Sequence, residues 1–498
     1  MVFLGIDVGT SACKALALSS EGAILATGVA DYGLSQPRPG WTEQDPALWV
    51  AGARRAVAEV LAAVPKERIA CIGLSGQMHG FTPLDTNGEV VRPAILWNDQ
   101  RNAREAEELA ELAGGDTALL GLTNNRMLVG YTGGKIAWMQ KHEPACFARV
   151  RHALNPKDYL RLVLTGEIAT EVSDASGTGL FDTRRRQWCA SLIDLLPFDG
   201  QILPDCHESG EVTGRVSLSG HETFGLVAGT PVIGGGGDAV IQTLGSGIAR
   251  PGILQTTIGT GGILACALDR PEDNPDGRLQ VFCNVAPGLW HCMGVSLSAG
   301  GAFAWLHGIL QSKSFDELVA DAETVAAGAE GLLFLPYLNG ERCPHPDPLA
   351  RCAFIGLTAR HGRRHMARAV MEGVVHALYD MYRLMEKMGI ERGEIRASGG
   401  GARSATWRQM QSDLFDCPVV TANGAAEGAA FGAALLAGVA AGAWSGVDEA
   451  TAVCGELTRQ LPEAGPGAVH RRAHATYADL YEALRPSFAA LADIEAPA

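Results

Sequence analysis

A chain of 498 residues is long enough for two large domains or more. Hydrophobic residues make up 47% and charged residues 19%, the balance of a globular protein rather than a disordered one. A formal charge of -15 argues against nucleic acid or an anionic membrane as the main partner, yet phosphate can still be held locally by glycine loops and helix N-termini.

The twelve cysteines contain no C-x-x-C pair, so neither a zinc site nor a redox motif is indicated. They read as buried, reduced thiols of a cytoplasmic protein. The N-terminus has no basic region before its apolar run, and Asp7 interrupts that run, unlike a signal peptide.

In chain order, Val2-Phe3-Leu4-Gly5-Ile6 is a strand, Asp7-Val8-Gly9-Thr10-Ser11 a turn, Lys14-Ala15-Leu16-Ala17-Leu18 a second strand, and residues 23–29 a third. Hydroxyls, backbone N–H groups and a lysine can hold phosphate oxygens, and an acid can hold magnesium. A polar hairpin turn would look the same. Residues 46–64 form an amphipathic helix. The buried strand at residues 69–74 runs into Ser75-Gly76-Gln77-Met78-His79-Gly80, placing polar side chains at a strand end, where ligands of α/β folds sit. Ala94-Ile95-Leu96-Trp97 reads as another strand, ending in Asn98-Asp99-Gln100-Arg101, and residues 135–142 as helix.

Near mid-chain, Val232-Ile233 forms a short strand that four glycines end, with Asp238 directly after them and a helix starting at Ala239. The functional reading is a carboxylate beside a bound substrate; the plain one is an acid capping a helix. Then the opening pattern returns. Leu254-Gln255-Thr256-Thr257-Ile258, the turn Gly259-Thr260-Gly261-Gly262 and a strand at residues 263–267 repeat the first hairpin. Two such domains would face each other across a nucleotide. A strand at residues 394–397 leads through glycines to a helix at residues 406–415, a nucleotide-contact pattern without a P-loop. The Ala/Gly-rich run at residues 428–444 is too short for a usual membrane span and reads as a packed core helix. A helix from about Arg471 ends in a short Ala/Pro terminus expected to be disordered.

These motifs, in this order, resemble the FGGY carbohydrate kinases, members of the actin-like ATPase superfamily. The likeness covers nearly the whole chain. Asp7-Val8-Gly9-Thr10-Ser11 matches the first phosphate loop, and Gly40-Trp41-Thr42-Glu43-Gln44-Asp45-Pro46 a segment typical of the family. Residues 130–142, with Lys135 and Trp138, fit the first signature. Phe354-Ile355-Gly356-Leu357 and residues 365–372 fit the second, with Cys352 where a smaller residue is usual. Residues 399–404 look like the adenosine loop. Gln77-Met78-His79 is the pattern of the xylulokinase branch; glycerol kinases carry Gln-Arg-Glu there.

The resemblance implies an α/β fold of two ribonuclease H-like domains, residues 1–246 and 247–498, closing over ATP. It implies phosphorylation of D-xylulose, with Asp238 as general base and Gln77, Met78, His79 and Asp238 binding the sugar. Thr10, Ser11, Lys14, Gly259 and Thr260 would hold phosphates, Gly400, Gly401, Ala402 and Ser404 the nucleoside, and Asp7 would place Mg²⁺. Another pentulose or polyol is an alternative acceptor, and an actin-like ATPase acting on a protein partner is a reading of a different class. A homodimer is admitted beside a monomer.

Overall fold

Two mixed sheets built to one plan organise the protein, described over residues 1–274 and 277–495 of a computed structural model. In the first, Val2–Val8, Ala12–Ser19 and Ile24–Asp31 form an antiparallel meander. On its other side Val2–Val8 runs parallel to Ile69–Gly76, which is followed by Pro231–Ile233 and the edge strand Val212–Arg215. The second sheet repeats this order. Ile253–Ile258, Gly262–Leu268 and Trp290–Ser296 are antiparallel, and Glu394–Ser398 and Val419–Ala422 add in parallel. The repeat seen in two hairpins is thus a repeat of whole sheets, and the expected two-sheet α/β architecture is present.

The central strands are apolar on both faces because both faces are covered. Val2, Leu4 and Ile6 pack with Trp49, Ala53 and Val57 of the helix Pro46–Ala63. That helix begins where Asp45 accepts a hydrogen bond from the Ala47 N–H and Pro46 presets the first turn. The opposite face meets the helix Gly428–Ala440, which comes from the other end of the chain. The residues here are small so that backbones can touch. A Cβ at Gly5 would lie 2.0 Å from the Ala430 carbonyl oxygen, and one at Gly73 2.0 Å from that of Ala433. The helix Asp238–Gly245 packs as closely on the same element, since a Cβ at Gly432 would fall 2.2 Å from the Ile241 oxygen.

Several boundaries differ from the sequence reading. The first strand continues to Val8 because Asp7 and Val8 keep ladder partners in Lys14 and Cys13, so Asp7 stands on a strand end and not in the turn. Only Ala94–Ile95 of the expected strand at 94–97 pairs, because the chain turns where the Asp99 N–H meets the Leu96 oxygen. The nucleotide-side helix starts one residue earlier, as Ala405–Phe415. The tail helix starts earlier too and spans Ala464–Glu495; the Ala/Pro terminus lies outside the described residues. The apolar run at 428–444 is a core helix, and among the described residues no helix is long and apolar enough to cross a membrane.

The close glycine contacts predict a stability effect. Gly73→Ala should lower the melting temperature, because a methyl group against a carbonyl oxygen forces backbone apart, at a cost of about 1–3 kcal/mol or more. Gly33→Ala, where a Cβ meets nothing within 4 Å, is the control and should melt like wild type. Equal melting temperatures for the two variants would show that the helix does not rest on the strand so tightly.

Candidate active site

Asp238 is the first residue of the helix Asp238–Gly245, at the end of a backbone with no side chains to spare. Gly235 has φ +80, and a Cβ there would lie 2.0 Å from the Leu74 oxygen, so only glycine fits. Gly236 and Gly237 pair with Ser75 and Gly76, which brings this loop beside the strand end that carries Gln77, Met78 and His79. The Asp238 carboxylate accepts the Ala239 N–H at 2.7 Å. Its pKa is pushed up to about 7, chiefly by burial and then by the nearby Asp7; hydrogen bonding to the Ala239 and Met78 backbone acts in the opposite direction. Asp7 is raised as well, again by burial, with the Ser75 hydroxyl (2.8 Å) and the Lys14 charge partly opposing. The acid does not cap its helix: Gly237 occupies the cap position.

The three residues of the Gln77-Met78-His79 stretch separate by role. Met78 packs its side chain against Gly237, where a Cβ would lie 2.5 Å from Met78 Cγ. His79 has φ 66, an unusual angle for a non-glycine residue, and is fixed there. Its Nδ1 meets the Gly177 carbonyl oxygen at 2.7 Å. A carbonyl only accepts, so Nδ1 carries the proton. Burial pushes the ring pKa down to about 3, keeping it neutral. Nε2 is therefore an acceptor, suited to a hydroxyl donor. Gln77 is different from expectation. Its amide oxygen takes the Thr10 hydroxyl at 3.0 Å and its amide nitrogen donates to Gln44 Oε1 at 3.0 Å, so both ends are spent inside the protein. It locks the first turn to the sheet.

One short helix, Val172–Ser176, ties these pieces together, and no sequence signal marked it. Its Ser173 hydroxyl accepts the Gly237 N–H at 2.9 Å and donates to Glu171 at 2.7 Å. Its C-terminal neighbour Gly177 holds His79, and the Ser176 hydroxyl accepts the Cys283 N–H at 3.0 Å, from the second sheet. Beneath the glycine loop, fully buried Lys157 pairs with Asp158 at 2.5 Å and donates to the Gly234 oxygen at 3.2 Å. Lys135, named in the family signature, donates to the His79 oxygen at 2.7 Å from the helix Thr132–His142. Thr170 to Gly179 is small and polar without periodicity, which is why it read as nothing in particular.

Asp7, Lys14, Asp238, Gln242 and Glu427 line a cavity of about 400 Å³, together with Ser398 and Gly399. A second cavity shares Ser398 and Gly399 and continues past Gly400, Ala402 and Arg403. The two form a groove from the acids to the glycine loop. The other expected contacts stand further back. Thr257 and Ile263, which flank the Gly259-Thr260 turn, also line the first cavity. Gly259 and Thr260 instead give their carbonyls to the N–H groups of Gly300 and of Ala299 and Gly301. The Thr10 hydroxyl is engaged by Gln77 and by the Trp97 N–H, while Ser11 is exposed. Gly401 is buried, and the Ser404 hydroxyl caps the helix Ala405–Phe415 by accepting from Trp407. Lys14 pairs with Glu427 at 2.6 Å across the groove, a residue the sequence reading did not single out.

With this geometry in view, the class of protein is plain: the chain belongs to the FGGY family of carbohydrate kinases. The N-terminal domain of that family matches residues 2–245 and the C-terminal domain residues 254–441. Within the family, the chain is 37% identical to the xylulose kinase of Escherichia coli (strain K12) over 413 residues, 83% of this chain and 84% of that one. The crystal structure of xylulose kinase from Rhodospirillum rubrum aligns with TM-score 0.90 at 31% identity, over 98% of this chain and 100% of that chain. A gluconate kinase structure from Lactobacillus acidophilus aligns with TM-score 0.93 at 26% identity, over 98% of this chain and 99% of that one.

The Ser173 link yields a test. Ser173→Ala leaves the Gly237 N–H unpaired next to Asp238, so kcat should fall about tenfold, the order of one lost hydrogen bond. The KM for ATP should move little. In an Asp238→Asn background the same change should add almost nothing, because it acts through that carboxylate. Equal additional losses in both backgrounds would mean Ser173 serves the fold at large.

Proposed function

We propose that this kinase transfers the γ-phosphoryl group of ATP to D-xylulose, giving ADP and D-xylulose 5-phosphate, in the cytoplasm. The observation that carries the reading is the Asp238 carboxylate set beside the Met78 backbone, with neutral His79 next in the chain. The family supplies the reaction class, and the 37% identity to a xylulose kinase favours the pentulose. All twelve cysteines are free, in keeping with a reducing compartment. The division at residues 246 and 247 assigns the base and the sugar-reading loop to one domain and the nucleoside loop to the other.

In this reading the sugar's C5 hydroxyl oxygen attacks the γ-phosphorus, its proton passes to Asp238, and the bond to the β-γ bridging oxygen breaks to release ADP. A pKa near 7 suits that task, since the group is ionised when needed yet basic enough to take a proton. Met78 main chain and His79 Nε2 bind hydroxyls. Gln77 acts by positioning, through Thr10 and Gln44. Lys14 exchanges Glu427 for phosphate, Thr10, Ser11, Gly259 and Thr260 shape the two turns, and Gly400 and Ala402 face the nucleoside, with buried Gly401 shaping their turn and Ser404 bracing the helix that follows. Asp7 fits Mg²⁺: two half-buried carboxylates share one cavity, and a divalent cation would balance their charge. When bound, it would offset charge on the transferring phosphoryl group.

A coupled ADP-release assay over pentuloses, polyols, hexuloses and gluconate tests the acceptor. D-xylulose should give the highest kcat/KM; a clear preference for another compound would overturn the substrate while leaving the kinase intact. Asp238→Asn should cut kcat by roughly a hundredfold or more at near-native melting temperature. Retention of half the turnover would defeat the base. Because the carboxylate must be ionised, kcat/KM should rise with pH through about 7 in wild type. His79, neutral down to about pH 3, should contribute no limb near its ordinary value.

A further inference from the structure

We propose that Tyr131 is a sugar-binding residue, its phenol hydroxyl hydrogen-bonding a substrate hydroxyl next to the one read by His79. Tyr131 is 1% exposed, and its hydroxyl is buried with no hydrogen-bond partner among the described residues. A buried phenol costs stability unless something meets it, and the great majority of such groups are met. Here the unmet group lies at the sugar-reading residue. The Tyr131 ring stacks on His79 with centroids 4.8 Å apart, and Phe282 leans on both, at 6.0 Å from His79 and 6.2 Å from Tyr131.

The two rings are also held by the same element. Tyr131 stands at the start of the helix Thr132–His142, and Lys135 of that helix donates to the His79 oxygen. Neither ring can turn away freely. His79 is pinned through Nδ1, and Gly179 leaves room for the phenol edge, where a Cβ would sit 3.1 Å from Tyr131 Cδ2.

The chemistry of the pair fits a polyhydroxylated acceptor. His79 Nε2 can only accept, whereas a phenol both donates and accepts. Burial holds the phenol protonated, above its ordinary range, even with the Arg342 charge acting on it, so it has a proton to give. Neighbouring hydroxyls on one carbon chain can thus satisfy both side chains at once, and the apolar ring faces suit the C–H side of the sugar. A compound lacking one of these hydroxyls leaves a buried group unmet and is discriminated against.

This inference rests on the reading that His79 faces the sugar, and the experiment keeps the two apart. Tyr131→Phe removes one oxygen and keeps the ring, so the full-length variant should fold. Its melting temperature without ligands should equal or exceed that of wild type, since no unmet hydroxyl remains. The KM for D-xylulose should rise about tenfold, the order of one lost hydrogen bond, while the KM for ATP stays within about twofold. If the substrate panel shows wild type to prefer another acceptor, the same comparison is made with that compound. An unchanged acceptor KM overturns the proposal, and a lowered melting temperature beside it would assign the hydroxyl to a structural water. Failure of wild type on D-xylulose alone would remove the substrate and not the role of Tyr131.

Discussion

Asp7 and Asp238 are two half-buried carboxylates on one cavity, and the Asp7 charge makes Asp238 harder to ionise. Most of the surrounding architecture makes that pair tolerable. The Ser75 hydroxyl and the Lys14 charge steady Asp7. Asp238 sits at a helix N-terminus, where the aligned peptide dipoles favour a negative charge. The Gly235–Leu74 contact brings the two strand ends close enough for both acids to face the same space. A wider loop would lower that repulsion, which after burial is the second cause of the raised Asp238 pKa.

One small unit holds Asp238 and His79 in place relative to each other. The helix Val172–Ser176 fixes the Asp238 loop through Ser173 and, through Gly177, the ring of His79. It also reaches the second sheet through Ser176. The spacing between the Asp238 loop and the His79 ring is therefore fixed by short contacts to one helix. Rigid support of this kind lets small shifts at a distance matter to turnover.

Much of this was legible in the order of residues. The strand–turn–strand units, the four glycines before Asp238 and the Gln77-Met78-His79 stretch each declare a local backbone need, and local needs are what sequence shows best. What stayed hidden is whatever depends on long-range pairing. Gln77 reads as a polar ligand at a strand end, but a residue 67 positions earlier, Thr10, takes its amide oxygen. The Ser173 and Glu427 contacts join segments with no periodic signature of their own. Asp7 was read into a turn because an acid ends an apolar run, whereas the ladder to Lys14 and Ser75 carries the strand through it.

The helix Gly428–Ala440 lies against strands laid down more than 350 residues earlier. Until it arrives, one face of the first sheet has nothing to cover Phe3 or the bare backbone of Gly5 and Gly73. On a ribosome, where domains generally fold as units from the N-terminus onward, that first sheet is made early but finished late. Nearly all of the polypeptide must emerge before its hydrophobic face is closed. The nascent chain carries that exposed surface throughout, and a cut between the sheets would leave the first one open.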